Sequence, residues 1–319
     1  MCRDEAFDAT PYSAACADFL LGHPDAQDFG RKFKIAFSGC GQQACGLVNM
    51  HDLGFIARTR KEDGSTKRGF EMYVGGGLGT IPHEAKLFDD FVAGEEILPL
   101  AQAMSRVFAR LGEKRNRARA RIKFLVAKLG IEEFRRLVLE ERRKLPEDER
   151  WGGYIDDARS YSETALRPAS GPNGKSPGGA FKTWQETNVY RQRQEGYVVA
   201  AVTLPMGDLS SGQTRGLADL ARRFCGDTIR ITVEQNIVLR WVSEADLPEL
   251  FAGLQEIDLA APGAGTLVDI TACPGTDTCK LGIASSRGLA RELGMRLATE
   301  ADHRDEAVSG LRIKISGCF

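Results

Sequence analysis

Two cysteines, Cys273 and Cys279, stand in "TACPGTDTCKLGIASS" with five residues between them, and a third, Cys318, follows Ser-Gly in the terminal "KISGCF". Thiolates are soft donors suited to iron-sulfur or zinc centres, and glycines in a tight bend let backbone amides approach the sulfurs. Two buried thiols in an ordinary loop are the other reading of a C-x5-C pair. Cys318 weighs toward a metal centre, because a strand running into Ser-Gly would return a third thiol to the same place. Such a centre ordinarily takes four thiolates, and this sequence shows three. Eight cysteines in 319 residues are too sparse for a disulfide framework.

Cations form the second group. In "RKFKIAF" an extended chain puts Lys32 and Lys34 on one face and Phe33, Ile35 and Phe37 on the other. The ammonium groups are then held at the mouth of an anion pocket, or they are solvated lysines protecting a sheet edge. In "KRNRARARIKF" a helix would place Arg117 and Arg121 on one face at i, i+4, where like charges repel mildly unless an anion lies between them. A solvated helix face is the alternative. A cofactor carrying several carboxylates would engage both clusters through paired hydrogen bonds. The loop "YVGGGLGT" offers Gly75, Gly76, Gly77 and Gly79, but Thr80 stands where a phosphate loop counted from Gly75 would have its third glycine. It reads equally as backbone approaching a flat cofactor or as a flexible turn. His51 and His83 are isolated and form no histidine metal motif.

The elements that must position these groups alternate in type. "RKFKIAFSGC", "HDLGFIARTR" and "RGFEMYVGGGLG" read as strands. "LAQAMSRVFARLG", "NRARARIKFLVAKLG" and "IEEFRRLVLEERRKL" have helical apolar spacing punctuated by Gly112 and Gly130. After the linker-like "SGPNGKSPGGA" come a strand, "YVVAAVTLPMG", and a helix capped by Ser210 or Ser211. A strand pair, or one strand broken near Gln235 and Asn236, and a further helix, "ADLPELFAGLQEI", complete a split βαβ order. The expected fold class is α+β. "KFKIAFSGC" and "LRIKISGCF" echo one another, as a duplicated architecture would. A net charge of -1 argues against a broad nucleic-acid face. The charged N-terminus shows no secretion signal, which makes a cytoplasmic location the expectation.

"RKFKIAFSGC" with "HDLGF" and "YVGGGLG", then "NRARARIKFLV", then "TACPGTDTCKLGIASSRGLA" followed by "ISGC" together resemble the nitrite and sulfite reductase family, which joins a siroheme to a 4Fe-4S cluster. The resemblance implies a siroheme-facing mixed α/β domain over 1–169 and a linker or surface loop over 170–180. Half of a shared split βαβ, ferredoxin-like domain would cover 181–262, and an incomplete cluster-binding domain beginning the second repeat would cover 263–319. It implies Cys273, Cys279 and Cys318 as cluster ligands, with the fourth cysteine four residues beyond Cys318. Cys40 and Cys45 occupy the first repeat's equivalent of the cluster loop by position only. Lys32 and Lys34 match the two active-site lysines. Asn116, Arg117 and Arg121 are implied near the siroheme carboxylates, with Gly75, Gly76, Gly77 and Gly79 against the macrocycle.

The implied reaction is the six-electron reduction of sulfite to sulfide or of nitrite to ammonia, fed by a ferredoxin or flavoprotein donor. The same resemblance implies a piece cut at both ends, lacking the first half of the shared domain and a cluster ligand, and so weakly active or inactive alone. A non-catalytic tetrapyrrole-binding module and a zinc-binding structural protein are the rival readings.

Overall fold

In a computed structural model, residues 4–41, 46–172, 178–226, 229–299, 308 and 310–318 are described. Cys45 and the middle of the 170–180 segment lie outside the described residues. The chain divides into two units, with the boundary between Ser162 and Glu163.

The N-terminal unit is built on a long hairpin. β2 (Leu53–Glu62) and β3 (Ser65–Val74) pair antiparallel from Leu53↔Val74 to Glu62↔Ser65. Asp63 and Gly64, with φ of 49° and 75°, close it in the left-handed conformation that suits the twist of the two strands. β1 (Ile35–Ser38) runs parallel to β2 and β4 (Lys86–Ala93) antiparallel to β3, giving the order β1-β2-β3-β4. Five helices accompany the sheet: α1 (Thr10–Leu20), α2 (Ile97–Leu111), α3 (Ile122–Leu129), α4 (Ile131–Lys144) and α5 (Glu149–Ser160). Phe55, Phe70 and Met72 of the hairpin share a core with Leu98, Met104 and Phe108 of α2 and Phe134 and Val138 of α4. Each large side chain so buried contributes about 1.5–3 kcal/mol.

Two sequence expectations need correction here. The strand read from Arg31 begins only at Ile35, so Lys32 and Lys34 precede it. The helix read from Asn116 begins at Ile122, so Arg117 and Arg121 do not share a helical face. The Asn116 side chain accepts the Ala118 amide and sets off a 3-10 turn, Arg117–Arg119. Arg121 then has extended backbone, φ -88° and ψ 153°. Three more cations in the first turns of a helix would oppose its dipole, which the break avoids.

In the C-terminal unit, α6 (Gly179–Asn188) leads into the order β5-β6-β8-β7, all antiparallel: β5 (Val189–Arg191), β6 (Tyr197–Val202), β7 (Ile229–Ile231) and β8 (Ile237–Ser243). α7 (Ser211–Phe224) and α8 (Leu247–Glu256) pack on one face through Leu217, Phe224, Leu250 and Phe251, with Trp184 of α6 among them. Ser210 is the cap of α7, exchanging side-chain bonds with Gln213 in a capping box. Beyond this layer, β9 (Thr271–Ala272) pairs in parallel with β10 (Lys314–Ile315), with α9 (Ser286–Thr299) between them in sequence. The α+β class and the split strand-helix order match the sequence expectation. Among the described residues no helix is long and apolar enough to cross a membrane.

Candidate anion and thiolate sites

The cationic site in the N-terminal unit is organised by a residue the sequence reading passed over. Asp52 closes the loop before β2 and is 0% exposed. Its carboxylate accepts from Arg121 through Nε at 3.2 Å and Nη2 at 2.9 Å, and from the Lys34 amide at 2.9 Å. Its own carbonyl accepts the Gly75 amide at 2.9 Å. One buried carboxylate thereby ties together the lysine segment, the arginine segment and the glycine loop, three of the sequence-expected groups. The signal for it was the quoted "HDLGF", where an acid directly precedes an apolar strand.

The glycines are there for space. A Cβ on Gly77 would lie 2.6 Å from Arg121 Nη1, and one on Gly76 would lie 2.4 Å from the Asn49 carbonyl. Gly75 has φ of 83°, a conformation that other residues adopt at a cost. Gly79, with φ of 108°, has open space around its Cβ position and is not part of this packing. Lys123 was also missed. Only 3% exposed, its ammonium donates to the carbonyls of Gly77, Leu78 and Ile81 at 3.4, 3.1 and 2.5 Å. Burial lowers its pKa. Lys123→Met is expected to cost about 1–3 kcal/mol by stripping those carbonyls of their donor. Urea unfolding would measure it, with faster exchange of the His83 amide that pairs with Gly77 as the local sign.

Lys32 and Lys34 remain exposed in front of this scaffold. Phe33, between them, points the other way and stacks on Phe108 at 5.9 Å, anchoring the segment. The charge of Lys34 is the main cause that lowers the Lys32 pKa, followed by burial and by Arg121 and Arg31. Lys32 therefore loses its proton below its ordinary 10.5, and anion binding that depends on it weakens as pH rises through that lowered value. Lys34→Met removes the main cause, so the alkaline midpoint of anion binding should move up in pH. A titration in which the midpoint stays put or moves down would contradict this placement. Asn116 and Arg117 are exposed; the Arg117 carbonyl accepts from Arg31 at 2.7 Å.

In the C-terminal unit the best-defined thiol is Cys273, just past β9. Its sulfur lies 3.2 Å from the Gly317 amide, which donates to it, and 3.3 Å from the Ser286 hydroxyl. The Ser286 hydroxyl, then the Gly317 amide, lower the Cys273 pKa and favour the thiolate. Gly275, Gly282 and Gly317 lie backbone against backbone: a Cβ on Gly282 would be 2.6 Å from the Gly275 carbonyl, and one on Gly317 2.8 Å from the Gly275 Cα. The amides of Ile283 and Ala284 both donate to the Gly317 carbonyl, at 2.7 and 3.1 Å. The loop containing Cys279 is thus laced to the strand end carrying Cys318. Cys279 is half-buried and Cys318 exposed. Among the described residues no group of three or more His, Cys, Asp or Glu is gathered as a metal site. The Cys273 niche fits a thiolate ligand in its chemistry. Cys40, by contrast, is buried, 3% exposed, in the N-terminal unit.

Comparison with known proteins bears on both sites. A family model described as "Nitrite and sulphite reductase 4Fe-4S domain" matches residues 1–146, and one described as "Nitrite/Sulfite reductase ferredoxin-like half domain" matches residues 190–257. The chain belongs to the nitrite and sulphite reductase family. Among relatives, it is 31% identical over 319 residues to sulfite reductase (ferredoxin) 2 of Mycolicibacterium paratuberculosis, covering 99% of this chain and 51% of that protein. It is 28% identical to the chloroplastic ferredoxin–nitrite reductase of Zea mays, covering 98% of this chain and 51% of that one. The solved structure of the Mycobacterium tuberculosis NirA protein superposes with a TM-score of 0.73 at 29% identity, over 99% of this chain and 52% of that chain. The chain therefore spans about half the length of these relatives. The first family segment contains every residue of the Asp52 site, whereas Cys273, Cys279 and Cys318 lie past both matched segments.

Proposed function

We propose that this member of the family serves the six-electron reduction of sulfite to sulfide or of nitrite to ammonia. The observation that supports it best is the Asp52 cluster. A buried carboxylate, 0% exposed, neutralises Arg121 and pins the Lys34 backbone, while Arg31, Lys32, Lys34 and Lys123 add positive charge around one glycine-backed loop. Among the described residues, this one buried acid is set among five cations, which makes the neighbourhood attractive to anions, both carboxylates and small oxyanions.

On this reading Arg121, after serving Asp52 and the Gly76 carbonyl, keeps Nη1 for a siroheme carboxylate, with Asn116 and Arg117 close by in sequence. Gly75, Gly76, Gly77 and Gly79 present backbone rather than side chains to the macrocycle. Cys273, Cys279 and Cys318 are the cluster ligands of this chain, and the Gly317 amide supplies the kind of N–H donor that stabilises a bound thiolate. Bound together, siroheme and a 4Fe-4S cluster supply single electrons to the central atom of the anion. Lys32 and Lys34 hold the negative charge of the substrate oxygens and give protons as these leave as water. Two ammonium groups aimed at developing negative charge are worth most where they are already in place, as the Phe33 anchor between them arranges. The names of the relatives point to ferredoxin as the electron donor.

The testing experiment is reductase activity of anaerobically prepared protein with reduced viologen, sulfite and nitrite being supplied in parallel. Turnover of either anion, with siroheme absorbance, supports the reading. Tetrapyrrole binding with no iron-sulfur cluster, read as absence of acid-labile sulfide, favours the binding module instead.

A further inference from the structure

The turn between β7 and β8 is a small lattice of its own. The Thr232 amide donates to the Asn236 carbonyl at 2.9 Å, and the Thr232 hydroxyl accepts from the amides of Glu234 and Asn236, both at 3.3 Å. At its tip Gln235 has φ of 67°, a left-handed conformation uncommon for a side chain other than Gly, Asn or Asp. Such a conformation persists where surrounding contacts fix it. Here those contacts lead directly to the thiolate loop.

The Gln235 side-chain amide makes two bonds to one residue. Its Nε2 donates to the Ala272 carbonyl at 3.0 Å, and its Oε1 accepts the Ala272 amide at 3.1 Å. On the opposite edge of β9, the amides of Thr271 and Cys273 donate to the carbonyls of Ile313 and Ile315, each at 3.1 Å. Strand β9 is two residues long, so Ala272 carries the backbone pair that faces away from β10, and Gln235 takes both of its groups. Asn236 fixes the chain just upstream. Its Nδ2 donates to both carboxylate oxygens of Asp269 at 3.0 and 2.8 Å, and its Oδ1 accepts the Leu204 amide at 2.8 Å.

We propose that Gln235 is a positioning residue for Cys273, its side-chain amide standing in for a missing strand beside β9 and fixing the register that holds the Cys273 sulfur against the Gly317 amide. A strand pair this short specifies its register weakly, and a one-residue slip turns every side chain to the opposite face. With both edges of Ala272 and Cys273 bonded, that slip must break bonds on two sides at once. The consequence for cluster assembly rests on the reading of Cys273 as a cluster ligand; the placement of Gln235 does not.

The test uses the 319-residue chain with Gln235→Gly, which removes the amide while relaxing the left-handed backbone, and Gln235→Met, which keeps the bulk without the bonds. Amide exchange read by mass spectrometry should rise at least tenfold at Ala272 in both variants, with β6 and β8 exchange unchanged. Anaerobic reconstitution with ferrous iron, sulfide and dithiothreitol as a supplementary thiol should give at least threefold less bound iron and sulfide than wild type. The electron paramagnetic resonance signal of the reduced cluster should be altered as well. Unchanged exchange at Ala272 in both variants, or wild-type iron and sulfide with an unaltered spectrum, overturns the assignment. Failure of the wild-type chain to take up iron and sulfide refutes the cluster reading instead, and the exchange result still decides the placement of Gln235.

Discussion

Asp52→Ala is expected to destabilise the N-terminal unit by about 3–5 kcal/mol, the usual cost of removing one partner from a buried ion pair. Asp52 is 0% exposed and the Arg121 side chain 11%, so the guanidinium left behind can regain little hydration. The same deletion leaves the Lys34 amide without its acceptor. Asp52→Asn keeps an oxygen for that amide but loses the charge, and should fall between wild type and Asp52→Ala. Removing Arg121 as well, in Asp52→Ala with Arg121→Met, should restore part of the loss, because the uncompensated charge goes with it. Denaturant unfolding of the four proteins measures the cycle. A loss below about 1 kcal/mol in Asp52→Ala, the range of exposed ion pairs, would mean that Asp52 does not organise this site.

The second large effect concerns the lysines. On the proposed reductase reading, Lys32→Met and Lys34→Met should each lower the rate of anion reduction by about 100-fold or more, the scale seen when one preorganised donor to developing charge is removed. Both side chains are exposed and neither has a core role, so unfolding midpoints should stay near wild type. The effect should appear in turnover as well as in anion affinity, because the lysines are assigned to protonation besides binding. A variant that binds the anion tenfold more weakly yet turns over normally at saturation would reduce the pair to an electrostatic attractor. Activity that is indifferent to both substitutions would remove them from the site.

What the sequence made legible, and what it hid, follows from the kind of signal each residue carries. The cation segments and the glycine loop stood out by composition, and the structure joins Lys34, Arg121, Gly75 and Gly76 through Asp52. Asp52 itself is a single acid in a loop, and its one local signal, the apolar strand that follows it in "HDLGF", does not separate a buried acid from a solvated one. Lys123 was hidden likewise, because a lysine at the start of a helix is ordinarily solvated. The helix expected from Asn116 failed because apolar spacing does not register a side-chain cap at Asn116 followed by an extended Arg121. The two strands of the hairpin were read only as separate segments, although Asp63-Gly64 between them is a strong turn signal. α1 went unread although Tyr12, Ala15, Cys16 and Phe19, its buried residues, carry helical spacing. Its short apolar stripe is diluted by alanines and polar residues. The break near Gln235 and Asn236 was visible, but its purpose was not, since the partner Ala272 is remote in sequence.

Iron, acid-labile sulfide and tetrapyrrole absorbance, measured together on anaerobically purified wild-type protein and on Cys273→Ser, test the assignment most directly. The expected result is iron and sulfide with a siroheme spectrum in the wild type, and a several-fold loss of sulfide in Cys273→Ser. Stoichiometric zinc without sulfide, or a cluster that survives Cys273→Ser intact, would contradict it.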